Sequence, residues 1–77
     1  MKCPSCRVIS GERAIRALKR AGFSELRQKG SHVSLEKRIG DQVFKTVVPV
    51  HSRLAKGTLA DILKQCGLKL EEFLEFL

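Results

Sequence analysis

Two turn signals, Gly30-Ser31 and Gly40-Asp41, lie ten residues apart and constrain the chain more than any other feature. Between them, His32 to Arg38 alternates. Val33, Leu35 and Lys37 point one way, and His32, Ser34 and Glu36 the other. After the second signal, Val43 to Val50 alternates again, with Phe44, Thr46, Val48 and Val50 on one face. Before the first, Phe23 to Lys29 is a shorter, mixed segment that reads as a third strand. A parallel pairing needs a crossover of a dozen or more residues, and neither turn is long enough for one. The three segments are therefore predicted to form an antiparallel meander. Pro49 lacks a backbone donor, which assigns its position to an edge or a strand end.

Helical patterns flank these strands. Residues 1 to 9 read as a short lead-in. Ser10 is a good N-cap, Glu12 suits the positive end of a helix dipole, and Gly22 is the expected stop of a helix reaching about Ala21. Ala14, Ile15, Leu18 and Ala21 form its apolar stripe, and Arg13, Arg16 and Arg20 a basic one. That basic stripe is either a solvated face or one wall of a nucleic-acid groove. His51 to Gly57 reads as a basic loop carrying Arg53 and Lys56. Thr58 is the expected cap of a second helix, with Asp61 three residues on. Leu59, Ile62, Leu63 and Cys66 are its buried stripe, and Gly67 ends it. A last helix, about Lys69 to Phe76, is expected to bury Leu70, Phe73, Leu74 and Leu77 behind an acidic outer face. The order is helix, three strands, helix, short helix: an α+β fold of one domain spanning residues 1–77, with the helices on one sheet face and the other face open.

Fifteen Lys and Arg against eight Asp and Glu give a formal charge of +7 on 77 residues, which favours a polyanion partner. Cations dominate the first two thirds, and Glu71, Glu72 and Glu75 cluster at the end, so a polyanion should meet the front of the molecule. No run approaches the length of a membrane span, and Met1 to Arg7 has no apolar core of a signal peptide. The expected location is the cytoplasm, with no membrane partner.

The chemistry is concentrated in Arg27-Gln28-Lys29-Gly30-Ser31-His32. An imidazole can take the proton of a ribose 2′-OH, so that the oxygen attacks the adjacent phosphate, and can protonate a leaving oxygen. Neighbouring cations would offset the charge that builds on the phosphorus centre. His32 is the candidate general acid or base, Arg27, Lys29 and Lys56 are candidate phosphate contacts, and Ser31 or Gln28 could orient the RNA. Lys56-Gly57-Thr58, at a helix start, would add backbone N–H groups suited to an anion. His51 has two readings, a second proton-transfer group or a structural residue where the third strand leaves the sheet.

Cys3-Pro4-Ser5-Cys6 is half of a zinc site, and completing it would consume His32. The cysteines are accordingly read as reduced and incidental, with no metal and no cofactor. No pattern supports a nucleotide-triphosphate site, a Ser-His-Asp triad or paired catalytic carboxylates. With Phe44 assigned to the core, no aromatic platform for stacking bases remains on the strands.

Taken together, Ser10-Gly11-Glu12, Ala21-Gly22-Phe23, Arg27 to His32, Val48-Pro49-Val50-His51, Lys56-Gly57-Thr58-Leu59 with Ile62-Leu63, and Cys66-Gly67-Leu68 with Glu71-Glu72-Phe73 resemble, in order and spacing, the HicA toxins of toxin–antitoxin modules. The resemblance implies a fold like the double-stranded-RNA-binding domain, α-β-β-β-α. It implies a small ribonuclease that arrests translation by cutting mRNA, and a HicB-type antitoxin that covers the active site and through which oligomers mainly form. The family's essential histidine maps onto His32. Many relatives carry a second histidine where this chain has Val33, and Lys-Pro-Gly-Thr where it has Ala55-Lys56-Gly57-Thr58. A non-catalytic RNA-binding module of the same fold, or a domain that binds an acidic protein, are the other functions this sequence could serve.

Overall fold

The structure is a computed structural model that describes residues 9–77. The motif Cys3-Pro4-Ser5-Cys6 lies outside the described residues. The elements are α1 (Gly11–Arg20), β1 (Ser24–Lys29), β2 (His32–Ile39), β3 (Gln42–Pro49), α2 (Lys56–Cys66) and α3 (Leu70–Glu75). The strands form one antiparallel sheet in the order β1-β2-β3. This is the predicted α+β meander with flanking helices.

The alternation read from the sequence sets the two faces. Val33 pairs with Val48 and Leu35 with Thr46, and all four are buried beneath the helices. His32, Ser34 and Glu36 lie on the opposite, open face, opposite Pro49, Val47 and Lys45. Val43 and Val47 on that face are each 47% exposed. β1 is different, because all six of its residues are exposed. No helix packs substantially on it, and a bulge between Glu25 and Arg27 breaks its register with β2. An edge strand without a covering layer has no buried face, so it shows no alternation to read.

α1 begins as predicted, with the Ser10 hydroxyl accepting from the Arg13 amide at 3.2 Å. Its inner side buries Ala14, Ile15, Ala17 and Leu18. α2 begins earlier than predicted. Lys56, Gly57 and Thr58 are its first turn, the N-cap is Ala55, and no side chain caps it, so Thr58 is not the cap. The cause is tertiary. Leu54 is buried and its amide donates to the Ile9 carbonyl at 2.9 Å, so the chain is anchored just before Ala55 and turns into the helix at once. Ile9 and Leu54 are both core residues, although their segments read as lead-in and basic loop.

α3 is short and is held by one side chain, Phe73, which is fully buried. Its first turn is closed by the Lys69 amide donating to Glu72 Oε1 at 3.0 Å. Leu70, expected in the core, is 51% exposed. It stands on the rim of a cavity of about 400 Å³ between α2 and α3 that it does not fill. The thiol of Cys66 is buried beside Thr46, and burial pushes its pKa up to about 11, so it stays neutral. No helix of the described residues is long and apolar enough to cross a membrane.

Candidate active site

The bend Lys29-Gly30-Ser31-His32 closes β1 onto β2. Gly30 adopts φ 63°, a left-handed conformation that a side chain would disfavour, and its surroundings are open. Lys29 and His32 are a directly opposed cross-strand pair, so both side chains leave the sheet on its open face. Arg27 opposes Ser34, which places it on the same face one step further along. Arg27, Lys29, Ser31 and His32 are all exposed. The bend is braced from two sides. Val50 donates its amide to the Ser31 carbonyl at 2.6 Å. The Gln28 side-chain amide donates to the Gly30 carbonyl at 3.1 Å. Gln28 opposes buried Val33, and its exposed side chain braces the turn.

The same end of the sheet receives both long helices at their N-termini. The Gly11 amide donates to the His51 carbonyl at 2.8 Å, which fixes the start of α1 where β3 leaves the sheet. α2 starts after the following loop and runs back over β3, since Gln65 accepts from the Thr46 hydroxyl at 2.7 Å and Gly67 lies against Phe44. The positive ends of two helix dipoles thus share an end with Lys29, His32 and His51. Lys56 belongs to this end through the first turn of α2, which contains no acidic residue. No hydrogen bond or ion pair joins Lys56 to the bend, so the structure gives them a common end of the molecule and no contact. His51 contributes its backbone carbonyl to α1, while its side chain is exposed.

Carboxylates neutralise other cations. On the open face, Glu36 lies 3.2 Å from Arg38 Nε and 3.9 Å from Lys45 Nζ. Lys19 pairs with Glu25 at 3.0 Å. Among the described residues, no ion pair engages Arg27, Lys29, His32 or Lys56. The cations of the open face that no carboxylate engages are therefore at its His32 end. This partition depends on register and could not be read from spacing, although the Glu36-Lys45 pairing follows once the turn at Gly40-Asp41 is accepted.

The arrangement is shallow. A depression of about 560 Å³ is lined by Leu26, Leu35, Thr46 and Gln65 as well as by Arg27, Ser34 and Lys45, and His32 does not line it. An exposed imidazole beside cations on a protruding bend suits a polymer backbone better than a small enclosed ligand. Among the described residues no cluster of His, Cys, Asp and Glu has the makings of a metal site. Comparison with known proteins adds one positive finding: the family model described as HicA toxin of bacterial toxin-antitoxin matches residues 11–68. No curated protein matches the chain.

Proposed function

The chain belongs to the HicA toxin family of bacterial toxin–antitoxin modules, whose members generally cleave mRNA, and from that premise we propose that it is an endoribonuclease working through His32. The observation that carries the proposal is the opposed pair Lys29 and His32 on the open face. There an imidazole and an unpaired ammonium can approach one phosphodiester together. His32 takes the proton from the ribose 2′-OH, the 2′-oxygen attacks the adjacent phosphorus, and the 5′-oxygen leaves with a proton returned by an acid. Lys29 and Arg27 offset the charge gathered on the non-bridging oxygens. Ser31 contacts the RNA at the bend. Lys56 and the uncapped first turn of α2 hold a further phosphate. The route needs no metal. Its products are a 2′,3′-cyclic phosphate and a 5′-hydroxyl, so mass spectrometry of cleaved RNA tests it directly. Fragments ending in a free 3′-hydroxyl with a 5′-phosphate would rule this mechanism out.

The partner proposed is a HicB-type antitoxin covering the open face and the His32 bend, with oligomers formed mainly through it. A non-catalytic RNA-binding module is the second reading. One observation favours it: among the described residues nothing hydrogen-bonds the His32 imidazole to orient it. In that case RNA would bind and remain intact.

Either reading makes Glu36 a limit on the RNA footprint, because its carboxylate engages both Arg38 and Lys45 and lowers their combined charge by one. Arg38 and Lys45 are exposed while the Glu36 side chain is partly buried, so losing the pairs through Glu36→Gln should cost no more than about 1 kcal/mol. It should tighten RNA binding and steepen the dependence of log K on log salt by about 1, given about 0.7 per phosphate contacted on a single strand. A salt series of binding isotherms measures this, and an unchanged slope would show that RNA does not extend along β3.

A further inference from the structure

We infer that α1 carries a second RNA-binding surface, a cleft of three arginines that takes phosphodiester groups away from the cleavage position. The inference rests on the RNA reading above. Arg13, Arg16 and Arg20 are spaced three and four residues apart, which stacks them on one face of α1 opposite the buried Ala14 and Leu18. All three are exposed, and together with Phe76 and Leu77 they line a cleft of about 150 Å³. Arg20 Nη1 donates to the Phe76 carbonyl at 2.8 Å, which fixes its guanidinium at the cleft while leaving its other N–H groups available.

The charge on this stripe is not compensated from within. Lys19, on the same helix, is neutralised by Glu25. α3 packs against α1 and presents Glu71, Glu72 and Glu75 to solvent, yet among the described residues no ion pair involves the three arginines. Like charges at these spacings repel along a helix, and a bound polyanion relieves that repulsion. The stripe starts two residues after Gly11, whose amide is tied to His51 at the end of the sheet that bears His32. RNA leaving the bend around that end meets Arg13 first, then Arg16 and Arg20. With a rise of 1.5 Å per residue the stripe is about 10 Å long, which matches about three successive phosphates.

The test uses the full chain carrying His32→Ala, so that binding is read without cleavage, and titrates it with a trinucleotide and with a long single-stranded RNA over a salt series. Adding Arg13→Gln, Arg16→Gln and Arg20→Gln should weaken binding of the long RNA and lower its salt slope by about 2. Trinucleotide binding should stay as it was. A second triple variant, Lys45→Gln, Lys64→Gln and Lys69→Gln, removes the same charge away from α1 and should keep the slope. Circular dichroism checks folding. If the arginine triple does not fold, each single substitution should still lower the slope by about 0.7. The inference fails if the arginine variants bind long RNA with the parental slope, if the lysine triple loses as much, or if the arginine variants lose only an acidic protein partner. In each of those cases the parent still binds RNA and the proposed function stands. A parent that binds no RNA at all removes both.

Discussion

Replacing His32 by alanine should slow RNA cleavage by about 10²- to 10⁴-fold, the range for loss of a positioned acid or base, and leave folding stability unchanged. The two halves of this expectation have separate causes. The side chain is exposed on the open face, and among the described residues no hydrogen bond or ion pair depends on it. Exposed substitutions of this kind usually change stability by less than about 0.5 kcal/mol. The bend itself is held by the Val50 amide and the Gln28 side chain, and both contacts are to carbonyls of other residues. The variant should therefore keep the RNA affinity set by Arg27, Lys29 and Lys56. Single-turnover cleavage, RNA binding and thermal unfolding measured on the same preparation separate these quantities. Equal cleavage rates for the variant and the parent would transfer catalysis to another group, with His51 the first to replace.

Gly11→Ala should destabilise the fold by about 1–3 kcal/mol, the range for overpacking a tight contact. Helix propensity alone predicts the reverse, since alanine gains about 1 kcal/mol over glycine inside a helix. Packing decides the sign. Gly11 is buried, and a Cβ there would press on the Pro49 carbonyl oxygen and stand 2.9 Å from Val50 Cα. Both are backbone atoms of the sheet end and cannot swing aside as a side chain does. α1 must retreat, which strains the hydrogen bond from Gly11 to His51. Val50 also holds the Ser31 carbonyl, so the displacement reaches the bend that carries His32. Cleavage per folded molecule should fall together with stability. Gly57→Ala is the matched control. It lies in the first turn of α2 with nothing within 4 Å of an added Cβ, so it should stabilise the chain by about 0.4–1 kcal/mol. Denaturant unfolding of the two variants reads both signs, and a Gly11→Ala chain as stable as the parent would refute the close approach.

Several features were legible because they depend on near neighbours in the chain. The turn at Gly30-Ser31, the cap at Ser10 and the two faces of β2 and β3 follow from local conformational preference and a period of two. His32 was placed off the apolar face by the same alternation. The misreadings share a different cause. Thr58 looked like a cap because its type suits one, while the helix start was set by Leu54 bonding to Ile9 some forty-five residues earlier in the chain. Leu70 has a core residue's chemistry but stands half exposed at the rim of the cavity between α2 and α3.

Sequence alone determined the order of elements, the strand pairing and the side of the sheet on which His32 stands, because glycine turns and alternation act over a few residues. Tertiary structure alone decided what surrounds that histidine. It brought the starts of α1 and α2 to the same end, set Glu36 against Arg38 and Lys45, and left Lys29 and Arg27 unpaired. Charge compensation is a matter of distance in space, and no spacing along the chain encodes which carboxylate reaches which cation.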